Sequence, residues 1–313
     1  NPREEIGMRP RAKINLTLDV PGKREDGYHP LRMVMQNVAL NDDVMIRRRQ
    51  EAGIVLTSNL PWLPCDERNL AWRAACLMQE EFGLTEGVEI HIQKRIPVAA
   101  GLAGGSTDCA AVLVGMKRLF GLRVSQKKLE ELGLRLGADV PYCIRRGTVL
   151  AEGIGEILTD INPQCPPFFV VLAKPNVSVS TKSVYQKLKL DEICNHPDTE
   201  GMLAAIAAQD HQAICEKMGN VLENVTIPDY PIIAALKERL LELGAENAMM
   251  SGSGPTVFGL FLDEKQAKKA AKKVQREFSL KEVVTTRTFC PARSGQKRKE
   301  RGKQYGETDN CIK

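Results

Sequence analysis

A chain of 313 residues can bury a large core and is expected to divide into two domains. Its 43% hydrophobic and 27% charged residues are ordinary for a soluble globular protein, and no apolar run approaches the ~20 residues of a membrane helix. The net charge of +5 first suggests a polyanion partner, but residues 290–313 hold seven Lys and Arg against three carboxylates. The rest of the chain is therefore nearly neutral, and a nucleic-acid-binding core is disfavoured.

The first residues, Asn1–Glu5, lack the basic and apolar regions of a secretory signal, and Met8 is taken as the native start. Nine cysteines are an odd number and form no C-x-x-C pair. A disulfide framework or zinc site is disfavoured, and a reducing, cytoplasmic setting is expected.

In chain order, residues 12–20 alternate through Ile14, Leu16, Leu18 and Val20, which predicts a half-buried strand. Further strands are expected over 38–47 and 53–58, and Asn69 is placed to cap a helix over 70–82. A strand over 87–95 leads into a small-residue loop, then a helix from Ala110, then a second helix over 125–136. Residues 149–151 read as one more strand.

The second half begins with an apolar strand at 168–173, followed by short helices over 181–220 and a longer one over 231–243. A strand at 246–250, a Ser251–Pro255 turn, a strand at 256–262, a helix at 264–278 and a strand at 282–289 complete it. The β-α-β-β-α-β order predicts a ferredoxin-like layer carrying extra helices, with the boundary near 162–167.

The loop Pro97-Val98-Ala99-Ala100-Gly101-Leu102-Ala103-Gly104-Gly105-Ser106-Thr107 is the most informative stretch. A small-residue loop opening a helix gathers unpaired backbone N–H groups and the positive end of a helix dipole, which suits a polyphosphate. Absent side chains let a phosphate approach the backbone. It is neither G-x-x-x-x-G-K-[ST] nor G-x-G-x-x-G, and by itself it equally describes a turn that packs a helix tightly on a sheet. Three other segments are as dense: Lys13-Ile14-Asn15 leading to Asp26-Gly27-Tyr28-His29; Gly137-Ala138-Asp139-Val140-Pro141; and Ser251-Gly252-Ser253-Gly254-Pro255.

Together, and in this order, the four segments resemble the GHMP small-molecule kinases from about Arg11 to Phe289. Lys-Ile-Asn followed by Asp-Gly-Tyr-His narrows the resemblance to a branch serving the non-mevalonate isoprenoid pathway. That branch phosphorylates the 2-hydroxyl of a cytidine-diphosphate-linked methylerythritol. Ala103 departs from the glycine that many members carry there. Members acting on mevalonate, phosphomevalonate or homoserine would share the loops but have no reason for the Tyr28, His29 and Tyr185 set.

The resemblance implies an α+β, two-domain GHMP kinase fold. Residues 8–163 would form the N-terminal domain, 164–290 the ferredoxin-like C-terminal domain, and 291–313 a basic disordered tail. It makes Lys13 and Asp139 catalytic, where local sequence alone reads Asp139 as a solvated or capping residue. ATP is the implied donor and Mg2+ is expected, with Ser106 and Thr107 offering hydroxyls and no magnesium carboxylate identified. Asn69 and Lys94 match positions near the adenine, although a helix cap and a strand-end charge remain their local readings. Tyr28 and Tyr185 would sandwich the cytosine, His29 with Asn15 would read its edge, and Thr181 would meet the diphosphate or sugar. The implied partner is this small molecule, with no specific nucleic acid and no membrane.

Overall fold

The computed structural model describes residues 3–22, 25 and 30–293. The tail from 294 onward, and Tyr28 and His29, lie outside the described residues. In chain order the first part comprises β1 (Glu5–Met8), β2 (Arg11–Asp19), β3 (Leu31–Asn41), β4 (Asp43–Arg49), β5 (Ile54–Ser58), α1 (Leu70–Phe82), β6 (Gly87–Gln93) and α2 (Gly104–Leu119). It continues through α3 (Gln126–Leu134), α4 (Val140–Arg145), β7 (Thr148–Gly153) and β8 (Ile157–Asp160). Then come β9 (Phe169–Lys174), α5 (Thr181–Lys187), α6 (Thr199–Ala207), α7 (His211–Lys217), β10 (Gly219–Asn220) and α8 (Glu223–Asp229). The chain closes with α9 (Ile232–Glu242), β11 (Asn247–Met250), β12 (Val257–Phe261), α10 (Glu264–Glu277) and β13 (Glu282–Arg287).

Three sheets result, in the orders β1-β4-β6-β5, β10-β2-β3-β7-β8 and β11-β12-β9-β13. The third has the strand order expected of a ferredoxin-like layer, with its neighbouring strands antiparallel and with α9 and α10 as its helices. The second sheet is not completed by the first half alone. β10 adds to β2 in parallel from the far half of the chain, and Phe289 donates its N–H to Asn37 O on β3.

Strand β2 departs from the half-buried expectation, because every residue from Ala12 to Asp19 is buried. Its sheet separates two apolar cores: Ala12, Ile14 and Leu16 enter one, while Leu18 enters the other. The face carrying Lys13 and Asn15 looks into a cleft instead of open solvent. The register against β3 shifts between Asn15 and Thr17, a bulge that brings Leu18 to the same side as those two residues. The Val34 N–H donates to Thr17 Oγ1 beside it, so no ladder donor is orphaned.

The expected strand over 38–47 is two strands, interrupted at Asp42. Asp42 Oδ1 accepts the N–H groups of Arg95 and Ile96 at 2.6 and 2.8 Å, and this lateral demand breaks the strand. Helix α1 follows its sequence signals: Asn69 caps it and Gly83, at φ 59°, ends it. α4 carries no such signal, since six residues give no periodicity to read. β1 pairs with β4 ahead of the expected domain start at Met8. Pro291 and Arg293 are held by Gln164, Asp160 and the Arg146 carbonyl, so the expected disordered tail does not begin at 291.

Candidate active site

The loop between β6 and α2 meets the C-terminal turn backbone to backbone. Gly101 has φ 81°, and a methyl there would overlap Ser251 O, so this position requires glycine on both counts. The Thr256 N–H donates to Ala100 O, the Ser251 hydroxyl to Gly101 O, and the Lys13 N–H to Leu102 O. Ala99 and Ala103 also hold positive φ, at 52° and 56°. Ala103 occupies the N-cap of α2 with no side-chain hydrogen bond, which leaves the first helical N–H groups available. Gly104, Gly105 and Ser106 line a cleft of about 430 Å³ at that helix end. A sixteen-residue helix pointing its uncapped amino end into a cleft is an anion site.

Opposite this helix end stand Lys13 and Asp139. Lys13 Nζ donates to Asn15 Oδ1 at 2.8 Å and to Gly101 O at 3.0 Å. Burial lowers its pKa from the ordinary lysine value, and the charge of Asp139 opposes that shift. The two residues thus interact through their fields, while the hydrogen bonds of Lys13 fix it to β2 and the loop. Asp139 precedes α4, is half-buried, and makes no capping hydrogen bond, so its carboxylate is free to face the cleft. Burial raises the Tyr185 phenol, and Asp139 adds to this, so the ring stands neutral in the cleft wall.

Residues 69–147 match the model of the GHMP kinases N terminal domain, and residues 202–280 that of the GHMP kinases C terminal. A 4-diphosphocytidyl-2-C-methyl-D-erythritol kinase from Lachnospira eligens is 50% identical over 288 residues, covering 92% of this chain and 100% of that protein. One from Acetivibrio thermocellus is 53% identical over 264 residues, covering 84% and 93%. A crystal structure titled 4-(cytidine 5'-diphospho)-2C-methyl-D-erythritol kinase superposes with a TM-score of 0.77 at 31% identity, covering 90% of this chain and 99% of that one. The chain belongs to the 4-diphosphocytidyl-2-C-methyl-D-erythritol kinase family, within the GHMP kinases. It is an ATP-dependent small-molecule kinase of α+β fold.

The cleft collects most of the residues expected of such a kinase. Lys13, Asn15, Asp139, Thr181 and Tyr185 line it, with Ala99, Ala100, Gly101 and Ala103 to Ser106 of the loop. Asn15 is buried, and its Oδ1 accepts from Lys13 and from the Gly252 N–H at 3.0 Å. The amide oxygen therefore holds the site together, while Nδ2 lies 3.6 Å from the Met33 sulfur. Thr181 Oγ1 lies 2.8 Å from Ser253 Oγ, linking α5 to the turn.

Other expected residues lie outside this cleft. Asn69 accepts the Ala71 N–H through its amide oxygen and donates from Nδ2 to Pro64 O, so it caps α1. Thr107 is buried and does not line the cleft, so of the two loop hydroxyls only that of Ser106 reaches it. Leu102 is a core residue. Lys94 is buried between Asp42 and Asp108 instead of projecting from a strand end. It still borders a second hollow of about 270 Å³, which Val98 and Ile96 share with Leu60 and Trp62.

Several contributors have no sequence signal of their own. Asn220 donates to Met250 O and Gly252 O and so holds the turn, yet it stands on a two-residue strand. Asn59 clasps Lys94 through both backbone groups. Leu18, Leu31, Met33, Ile154 and Val179 add an apolar wall to the cleft.

Proposed function

We propose that the protein transfers the γ-phosphoryl group of ATP to the 2-hydroxyl of 4-diphosphocytidyl-2-C-methyl-D-erythritol, in the non-mevalonate route to isoprenoid precursors. One observation carries the reading. Lys13 and Asp139 border the same cleft as the uncapped amino end of α2. Asp139 accepts the hydroxyl proton as that oxygen bonds to the γ-phosphorus and the bond to the β-γ bridging oxygen breaks, releasing ADP. Lys13 remains an ammonium that orients the hydroxyl and offsets the growing negative charge.

The loop amides hold the triphosphate, and the second hollow suits the nucleoside, since Trp62 offers an aromatic face and Leu60, Ile96 and Val98 apolar contacts among its charged rim residues. Tyr185 and Thr181 serve the cytidine-bearing acceptor. Tyr28 and His29 retain their sequence-based assignment to its base. The described residues contain no group of three metal-ligating side chains, but Mg2+ takes few protein oxygens beside phosphates and water. The Ser106 hydroxyl fits that demand, and the ion would neutralise charge on the triphosphate. No disulfide joins any two of the described cysteines, which fits action in a reducing cytoplasm.

The test offers Mg-ATP with the cytidine-linked acceptor, mevalonate, phosphomevalonate and homoserine in parallel and measures ADP release. Only the cytidine-linked acceptor should turn over efficiently, and free methylerythritol phosphate should be a very poor one, because remote binding energy positions the reacting centre. Preference for any of the other acceptors would overturn the assignment.

A further inference from the structure

A buried ion cluster behind the phosphate loop takes no part in the chemistry above. Lys94 Nζ lies 2.6 Å from Asp42 Oδ2 and 3.0 Å from Asp108 Oδ2, and all three side chains are buried. Three segments meet there: Asp42 from the gap between β3 and β4, Lys94 just after β6, and Asp108 from the start of α2. Through Oδ1, Asp42 also accepts the N–H groups of Arg95 and Ile96, where the loop departs. At the loop's other end, a methyl on Gly104 would lie 3.1 Å from Lys94 Nζ. The cluster therefore grips the loop where it leaves the sheet and where it enters the helix.

We propose that Lys94 is a positioning residue for the donor triphosphate, acting through Asp42 and Asp108 to fix where the first α2 amides point. The inference rests on the phosphate-loop reading given above. Stability alone is a poor reason for such a cluster, because removing ions from water generally offsets what their attraction returns. Its charge balance also suits a triphosphate. Two carboxylates facing one ammonium would leave an excess negative charge behind amides that must attract an anion, and a dry site resists that excess. Burial raises the Asp108 carboxyl, against the Lys94 charge and with Asp42 adding to it, which favours a proton on this side of the cluster. Among the described residues the buried Oδ1 of Asp108 has no hydrogen-bond partner, as suits a protonated side chain.

Steady-state kinetics of Lys94→Met, Asp42→Asn and Asp108→Asn test this, varying ATP at saturating acceptor and then the reverse. A displaced loop should raise the KM for ATP about tenfold in Lys94→Met and Asp42→Asn, with the KM for the acceptor within about twofold. Asp108→Asn should give the smallest rise, because an amide resembles the protonated carboxyl. An unchanged KM for ATP in the first two variants, or equal rises in both KM values, would overturn the proposal. If Lys94→Met does not fold, Asp42→Asn decides. If the wild type does not phosphorylate the cytidine acceptor, the functional reading fails. Calorimetric binding of a non-hydrolysable ATP analogue then tests the loop by the same comparison: weaker binding in the variants supports the proposal, and equal binding overturns it.

Discussion

At Lys13, burial and a neighbouring carboxylate act in opposite directions on one proton. Burial is the larger effect, so the pKa lies below 10.5 despite Asp139. The ammonium is the working form, and its population falls as pH rises through that lowered value. The alkaline limb of kcat should therefore lie below pH 10.5. In Asp139→Asn the opposing anion is gone, so the limb of the residual activity should move to still lower pH. A pH–rate profile of both proteins checks the sign; movement to higher pH would contradict this electrostatic account. Asp139→Asn should also lower kcat by about 10²–10⁴-fold. Its Tm should change little, because the side chain makes no capping hydrogen bond. Lys13→Met should be comparably damaging, and the double variant far less than multiplicative, since the two act as one unit. Both residues stood in recognisable motifs. Their approach did not, because β2 and the segment before α4 are joined only by the folded chain.

Among elements, the contact between the phosphate loop and the Ser251–Gly254 turn leaves no room for a side chain. Gly101→Ala adds a methyl where Ser251 O already sits, at a φ of 81°. Backbone strain of roughly 1–2 kcal/mol comes first. Separation of loop and turn follows, and a misplacement on the order of 1 Å can lower the rate ~100-fold. Calorimetry and kinetics should show Tm and kcat/KM falling together. Gly105→Ala should behave differently, because its added methyl meets no protein atom within 4 Å and occupies the cleft rim. That variant should keep its Tm while the KM for ATP rises. Equal loss of stability in the two would argue against the loop geometry described.

Local signals placed helix α1 and the third sheet well, through Asn69, Gly83 and regular periodicity. They failed where a distant group imposed the break. Asp42 interrupts a strand because backbone amides more than fifty residues later need its carboxylate.

On the scale of the molecule, the chain's last described segment binds the two halves together. Thr288 bridges Val38, Gln36 Nε2 donates to Phe289 O, and the Arg11 guanidinium lies 3.8 Å over the Phe289 ring. Arg293 pairs with Asp160 at 3.1 Å and donates to Arg146 O, just beyond the helix that follows Asp139. A chain ending at Arg293 should therefore keep near-normal turnover and Tm, whereas one ending at Arg287 should melt roughly 5 °C or more lower. Thermal melts of the two truncations check this; equal Tm values would show that the segment contributes nothing.

The amino-acid sequence by itself determined the kinds of element, the glycine loop at a helix start and the family, because these depend on neighbours a few residues apart and on motifs in order. Only the tertiary structure decided that β2 is buried on both faces, that Thr107 turns inward, and that Lys94 lies between two carboxylates. It also decided that Asn15 receives the N–H of Gly252, 237 residues away. A hydrogen bond across that separation depends on how sheets and loops pack, and packing at long range leaves no pattern among adjacent residues.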